Sequence, residues 1–355
     1  MMSGGAIFLS NNLVELELHG WHNCEHIPSL GLLPSLKSLH IDGFKNVKRM
    51  GHKFDPTKSN SPGGVESIKL FPALRELSLN SLLGLEEWIE VDDDDIAAGG
   101  KVEIVFPCLE ILKIDYCPRL EIYWQMDGFS SHHKLSHLEI SQCYKLMDIP
   151  SMNGLSSLQL LRIEKCFNLW SISGECLRYL AGLKKLKMGY FCDELEEFPG
   201  LSYIHQLNSS LESLILRGWD KVKSLLDQLQ HLTALKELTL SNFNGVEAFP
   251  EGMGPFSSDL EEFPRLDCIL HFHASLKDLT LTGWDKIKFL SDQLQHLTAL
   301  KSLTLEKFNR VEVLPDWLGN LSSLEELHIK ECPNLKKICI KYLVFCLNVN
   351  QKFEL

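Results

Sequence analysis

Three groups of histidine and cysteine carry the donor types that hold zinc: His19, His22, Cys24 and His26; His132, His133 and His137; and Cys268, His271 and His273. A structural zinc site needs four donors, usually delivered as two closely spaced pairs, and none of these groups has a second pair at such a spacing. The reading is therefore no metal and no cofactor. Four consecutive carboxylates, Asp92, Asp93, Asp94 and Asp95, are the right donors for calcium in the wrong arrangement, because a dedicated loop spaces its oxygens and turns on a glycine. A solvated loop is the simpler account. The chain also lacks a GxxxxGKS/T phosphate loop, an HExxH helix, a GxSxG elbow and a CxxC pair, so the expectation is a protein without catalysis of its own.

Composition narrows the classes further. The 355 residues include 47 acidic and 35 basic groups, a net charge of -12, and are 45% hydrophobic. That hydrophobic content excludes a mainly disordered chain, and the acidic balance argues against gripping nucleic acid through its phosphates. No apolar stretch approaches the roughly 20 residues of a membrane span. The opening MMSGGAIFLSNN lacks the basic start and long apolar run of a secretory signal. A cytoplasmic protein follows, and eleven scattered cysteines suit reduced thiols better than a disulfide framework.

What positions any functional residue is an internal repeat. The pattern LxxLxL recurs about twelve times: LVELEL at Leu13, LKSLHI at Leu36, LRELSL at Leu74, LEILKI at Leu109, LSHLEI at Leu135 and LQLLRI at Leu158. It continues with LKKLKM at Leu183, LESLIL at Leu211, LKELTL at Leu235, LKDLTL at Leu276, LKSLTL at Leu300 and LEELHI at Leu324. The commonest spacing lies in the window of leucine-rich repeats. The last two apolar residues of each motif are two apart, so in a strand they face one side together while the residue between them faces water. One such strand cannot bury itself, but stacked copies pair in parallel and fuse their leucines into one core. Three positions after the motif comes a further apolar residue: Trp21, Phe44 and Leu82 early, Cys117, Cys143 and Cys166 in the middle, Phe191 to Phe308 later, and Cys332 last. Cysteines at that position read as small buried fillers rather than nucleophiles. Prolines such as Pro150, Pro199, Pro250 and Pro315 close several outer segments, which should be irregular because proline removes a donor and fixes φ.

The fold expected is an α/β-type solenoid: a leucine-rich-repeat horseshoe with a concave parallel β-sheet and a mostly irregular or short-helical convex side. Residues 1–12 form a short leader, 13–340 the array of about twelve repeats, and 341–355 an atypical tail. Insertions interrupt the period near 51–71, 89–106 and 251–273. Residues 211–250 align without gaps to 276–315 with roughly two thirds of positions identical, the mark of growth by copying repeat pairs. The sequons at Asn208 and Asn320 matter only in a secreted chain and are read as unused.

Several segments carry a more specific signature than a generic leucine repeat: FPALRELSLNSLLGLEEW, FPCLEILKIDYCPRL and GNLSSLEELHIKECPNLKKI. With NLVELELHGWHNCEHIPSLGLLPSLKSLHIDGFKNVKRMG they resemble the C-terminal repeats of plant coiled-coil nucleotide-binding leucine-rich-repeat receptors, the RGA-like disease resistance proteins. The resemblance runs from about Asn12 to Ile338. It implies a protein-recognition and autoinhibitory module of an intracellular immune receptor, lying in the cytoplasm or at the nucleus or plasma-membrane periphery. The implied partner is a pathogen effector, a guarded host protein or the receptor's own nucleotide-binding domain. The phosphate loop and coiled coil of such receptors have no counterpart here, so nucleotide binding is not carried over and the chain reads as a truncated receptor. The alternative is the substrate-recognition array of a ubiquitin ligase adaptor; a secreted ligand receptor is disfavoured.

On each strand the third, fifth and seventh repeat positions and the eighth just beyond are expected to face solvent. They hold Glu15, Glu17 and His19 in the first repeat, and Lys113, Tyr116, Arg162, Lys165, Lys185, Lys187 and Tyr190 in the middle of the array. With strands about 4.8 Å apart, the second set should form a basic patch with tyrosine anchors, fit for an acidic protein surface. The competing account is a solvated face whose charges serve solubility.

Overall fold

The computed structural model describes residues 11–27, 30–31, 33–49, 68–86, 102–120, 133–149, 152–173, 175–222, 229–244, 271–336 and 352–354. The chain divides into two compact units, Met1–Ser173 and Gly174–Leu355. The strands run in chain order: β1 (Glu15–His19), β2 (Ser38–Asp42), β3 (Ile68–Leu70), β4 (Glu76–Asn80), β5 (Val102–Val105), β6 (Ile111–Asp115), β7 (His137–Ser141), β8 (Asp148–Ile149), β9 (Leu160–Glu164) and β10 (Ser171–Ile172) in the first unit. The second holds β11 (Lys185–Gly189), β12 (Ser213–Arg217), β13 (Glu237–Ser241), β14 (Asp278–Thr282), β15 (Ser302–Glu306), β16 (Glu326–Lys330) and β17 (Lys352–Glu354).

In the first unit β1, β2, β4, β6, β7 and β9 pair in that order, all parallel. In the second, β11 to β17 pair consecutively and in parallel. Every described register between two motif strands aligns the third motif position with the third of the next strand, for example Glu76 with Ile111 and Ser213 with Glu237. Each unit is thus a leucine-rich-repeat β-solenoid, and the fold expected from the period is the fold observed. From β2 to β15 the fourth and sixth motif positions of the sheet strands are buried, reproducing the inward leucines, as in the alternation of β2, β4, β6 and β15. Leu39, Leu77, Leu112, Leu138 and Leu161 are at most 2% exposed. Exceptions sit at the seventh position, where Ser141, Glu164 and Ser241 are buried rather than solvent-facing, and at the third, where Ser213 is buried. Among the described residues β1 pairs with β2 alone, and Trp21 is 56% exposed in a position that Phe44 buries one repeat later.

Two backbone devices convert the sequence repeat into a stack. The carbonyl of the second motif position takes two N–H donors from the following repeat; Arg75 O receives Glu110 N at 2.8 Å and Ile111 N at 2.9 Å, and Lys236 O receives Lys277 N and Asp278 N. The eighth position turns the chain out of the strand in the left-handed region: Ser81, Tyr116, Gln142, Lys165, Tyr190, Asn242, Lys307 and Glu331 all have φ between 51° and 59°. Its N–H still reaches the next strand, as Tyr116 N to Ser141 O at 3.0 Å. Side-chain-bearing residues tolerate this geometry at a cost, which the repeated hydrogen bond offsets.

The return side follows the proline expectation. It consists of short 3-10 turns in the second unit, at Cys176–Tyr179, Leu201–Leu207, Leu229–His231, Asp292–His296 and Asp316–Asn320. In the first unit β8 and β10 form a two-stranded parallel pair there. The leader 1–10, the insertion cores 51–67, 89–101 and 251–270 with Asp92 to Asp95, and the tail apart from β17 lie outside the described residues.

The cysteine column is buried in the middle of the array, but Cys332, at the same position of the last repeat and expected to be a buried filler, is only partly covered. Cys117, Cys143 and Cys166 are fully covered. Burial pushes the Cys117 and Cys166 thiols up to about 12, and Cys143 also rises well above the usual value, burial first and the neighbouring thiols second. At pH 8 the native protein should react with iodoacetamide at the partly exposed Cys24 and Cys108 and spare Cys117, Cys143 and Cys166 until denaturant is added. Peptide mass mapping showing Cys143 alkylated as fast as Cys108 in the native state would contradict the packing.

Candidate functional site

The strand faces give a fixed grid. Third, fifth and seventh positions point off the sheet at one strand spacing, so function must be read along rows that cross the repeats. In the first unit the central row reads Glu17, His40, Ser78, Lys113, Glu139, Arg162. Its cations are internally matched. Lys113 Nζ lies 3.2 Å from Glu76 Oε1; Arg162 donates from Nε to Glu164 Oε2 at 2.8 Å and from Nη1 to Glu139 Oε2 at 3.3 Å. Glu164 is 1% exposed, so Arg162 also compensates a buried carboxylate, and removing it would leave that charge with less counter-charge.

Tyr116 and Lys165 occupy the left-handed eighth position, at the edge where the chain leaves the sheet, and both are exposed. In the second unit Lys185 opens β11, Lys187 stands beside Ile215 in the central row, and Tyr190 follows the strand. The Tyr190 hydroxyl accepts a hydrogen bond from Asn242 Nδ2 at 2.9 Å, two repeats on, and the Arg217 guanidinium lies 6.0 Å from its ring centroid. The intervening eighth position is Gly218, which offers no side chain to block that reach. Thus Lys113, Tyr116, Arg162 and Lys165 share one unit, Lys185, Lys187 and Tyr190 the other.

Rows the sequence reading did not single out are equally distinct. The central row of the second unit is uncharged from Ile215 through Thr239, Thr280 and Thr304. Beside it, the third position carries Glu237, Asp278, Ser302 and Glu326. Burial raises the Asp278 carboxyl above the usual range, and the like charges of Glu237 and Glu326 add to it against Lys277 and Lys301. An acid whose folded-state pKa is raised is held less well as a carboxylate than in the unfolded chain, so its penalty is absent below the unfolded value and grows as pH rises toward the folded one. Asp278→Asn should therefore give a small rise in melting temperature at pH 7 that disappears near pH 3. A gain that is the same at both pH values would locate the cause elsewhere.

Among the described residues, the members of the histidine groups do not bring three ligand atoms together. His19 Nε2 is 3.3 Å from Glu17 Oε2, His22 Nδ1 donates to Gly43 O at 2.8 Å, and Cys24 Sγ donates to His26 O at 3.0 Å. His132 and Cys268 lie outside the described residues. A different trio, Glu15, Glu17 and His40, brings its donor atoms within 4.8 Å of one another on β1 and β2, two of them exposed and the histidine half-buried. No helix among the described residues is long and apolar enough to cross a membrane.

Comparisons now bear on the repeats. No family model matches the chain. It is 28% identical over 220 residues to the disease resistance RPP13-like protein 1 of Arabidopsis thaliana, which covers 55% of this chain and 20% of that protein. It is also 28% identical over 189 residues to the disease resistance protein RGA1 of Solanum bulbocastanum, 53% of this chain and 16% of that one. Its curated relatives are plant disease resistance proteins. The chain spans about a fifth or less of their length. Among solved structures it is similar to the leucine-rich repeat domain of the type III effector XopL, with TM-score 0.39, 19% identity and 91% of this chain against 77% of that one. A Listeria monocytogenes internalin, InlF, gives TM-score 0.40, 17% identity and 81% against 87%.

Proposed function

We propose that the chain is the protein-recognition repeat module of a plant immune receptor, sensing a pathogen effector or guarded host protein and restraining the receptor's own nucleotide-binding domain in its resting state. The similarity to disease resistance proteins carries this reading. The stacked architecture supports it: the inward leucines and the double-acceptor carbonyls are the same from repeat to repeat, while the outward rows vary freely, so the scaffold can change its contacts without changing its fold. The module works by binding, with no catalysis of its own, in the cytoplasm. The candidate contacts are Lys113, Tyr116, Arg162 and Lys165 in the first unit and Lys185, Lys187 and Tyr190 in the second.

Lys185 and Lys187 lie on the one strand β11, so both can be reversed in a single repeat without touching the buried Glu164 that Arg162 serves. In a full-length receptor carrying these repeats, Lys185→Glu with Lys187→Glu should weaken partner binding or release cell-death signalling without a pathogen. Unchanged behaviour in both assays would remove that strip from the reading.

A further inference from the structure

Two positions on the edge that follows the sheet change character from one group of repeats to another. In four consecutive repeats of the second unit the tenth position holds Asp220, Asn244, Asp285 and Asn309, with Cys192 before them and Pro333 after, and the four bond along the row: Asn244 Nδ2 to Asp220 Oδ1 at 3.4 Å, Asp285 N to Asn244 Oδ1 at 3.1 Å, Asn309 Nδ2 to Asp285 Oδ1 at 2.6 Å. The thirteenth position there pairs Lys336 with Glu312 at 2.9 Å. In the repeats beginning at Leu135 and Leu158 the same two positions are apolar: Tyr144 and Phe167 at the tenth, Met147 and Trp170 at the thirteenth. Phe167 and Trp170 are each 50% exposed, Met147 62%.

The apolar groups form a continuous ledge. Tyr116 meets Tyr144 edge-on at 6.5 Å between centroids, and Tyr144 meets Phe167 at 5.7 Å. The backbone beneath is pinned: Asn168 Nδ2 donates to Tyr144 O at 2.6 Å, Trp170 N donates to Met147 O at 2.9 Å, and β8 pairs with β10 immediately beyond. Such a surface is preorganised, with two-torsion aromatic side chains that lose little entropy when covered. Its charged rim is mostly basic, with Arg119, Lys145 and Lys165 exposed against Asp148, in a chain whose net charge is -12.

We propose that this ledge of the first unit is a docking surface for an extended acidic segment of a partner protein that carries apolar anchor side chains. Charge complementarity sets the acid, and the rings set the anchors. Three rings in succession span about 12 Å, which an extended strand covers in roughly four residues. Two anchors about three residues apart, flanked by carboxylates, would fit. The proposal rests on the recognition reading above and moves the contact from the sheet face to the edge beside it.

The test is fluorescence anisotropy on the whole chain, using a labelled synthetic peptide of about ten residues with two phenylalanines three apart among aspartates. A second peptide replaces the aspartates with lysines. Saturable binding of the acidic peptide, at least tenfold weaker in Phe167→Ala and in Trp170→Ala, and unchanged in Phe289→Ala on the other unit, is the expected result. All three side chains are half or more exposed, and circular dichroism melts would verify folding. No binding at millimolar peptide, equal binding of the lysine peptide, or equal affinity in the ledge variants overturns the proposal. So does preferential binding of oligothymidylate lost in the same variants, or a ledge-dependent dimer in sedimentation, since either names another occupant. If the ledge variants are silent while Lys185→Glu with Lys187→Glu changes receptor behaviour, the ledge is wrong and the recognition reading stands.

Discussion

Phe198→Ala is expected to lower the stability of the second unit by about 3–5 kcal/mol, the range for truncating a buried aromatic ring. Phe198 sits at the centre of an aromatic column, 5.5 Å from Phe191, 5.4 Å from Trp219 and 6.3 Å from Phe243 between centroids. Those partners belong to three successive repeats, so a cavity there weakens two repeat interfaces together. A stack that depends on nearest-neighbour contacts cannot redistribute that loss. Guanidinium unfolding followed by Trp219 emission should show an earlier transition, with circular dichroism reporting whether the first unit melts with it. A midpoint shift equivalent to less than about 1 kcal/mol would mean that the column relaxes into the gap.

Gly189→Ala should be comparably damaging for a different reason. Gly189 ends β11 at φ 145°, outside the region L side chains adopt readily. An added Cβ would overlap the backbone carbonyl oxygen of Arg217 and lie 2.6 Å from the Arg217 Cβ. That carbonyl cannot step aside, because it accepts the Tyr190 N–H at 3.1 Å and belongs to the ladder between β11 and β12. Strain of this kind costs about 1–3 kcal/mol, and displacing the ladder adds to it. Gly43→Ala is the milder comparison, since its Cβ would approach Gly20 N at 3.3 Å. Hydrogen exchange should show lost protection at Tyr190 and along β12 in Gly189→Ala; native-like protection at both would refute the steric account.

The strands and their inward residues were legible because the side-chain period of a strand is two and the repeat is copied. Leu138 and Ile140 had to face the same way, and so did their counterparts in every turn. The outward rows were legible as positions but not as chemistry. Lys113, Arg162 and Tyr190 looked alike as candidate contacts, yet the side chains that answer them come from other repeats: Glu76, Glu139 and Asn242. The aromatic edge formed by Tyr144 and Phe167 shows in the sequence only as two adjacent repeats with rings at the tenth position, where Asp220, Asn244, Asp285 and Asn309 stand in four later ones. Glu164 gave no signal at all, since nothing in LQLLRIEKC distinguishes a buried glutamate from an exposed one.

By itself the sequence determined the period, the parallel stacking it forces, the buried leucine and cysteine columns, the irregular return segments and the resemblance to disease resistance repeats. These follow from local spacing, because each repeat must solve the same burial problem with its neighbours. Only the tertiary structure decided which charges are spent on one another, which rings are covered and which exposed, and where a glycine is indispensable. Those outcomes depend on the side chain one strand spacing away, and that neighbour lies about two dozen or more residues distant in sequence.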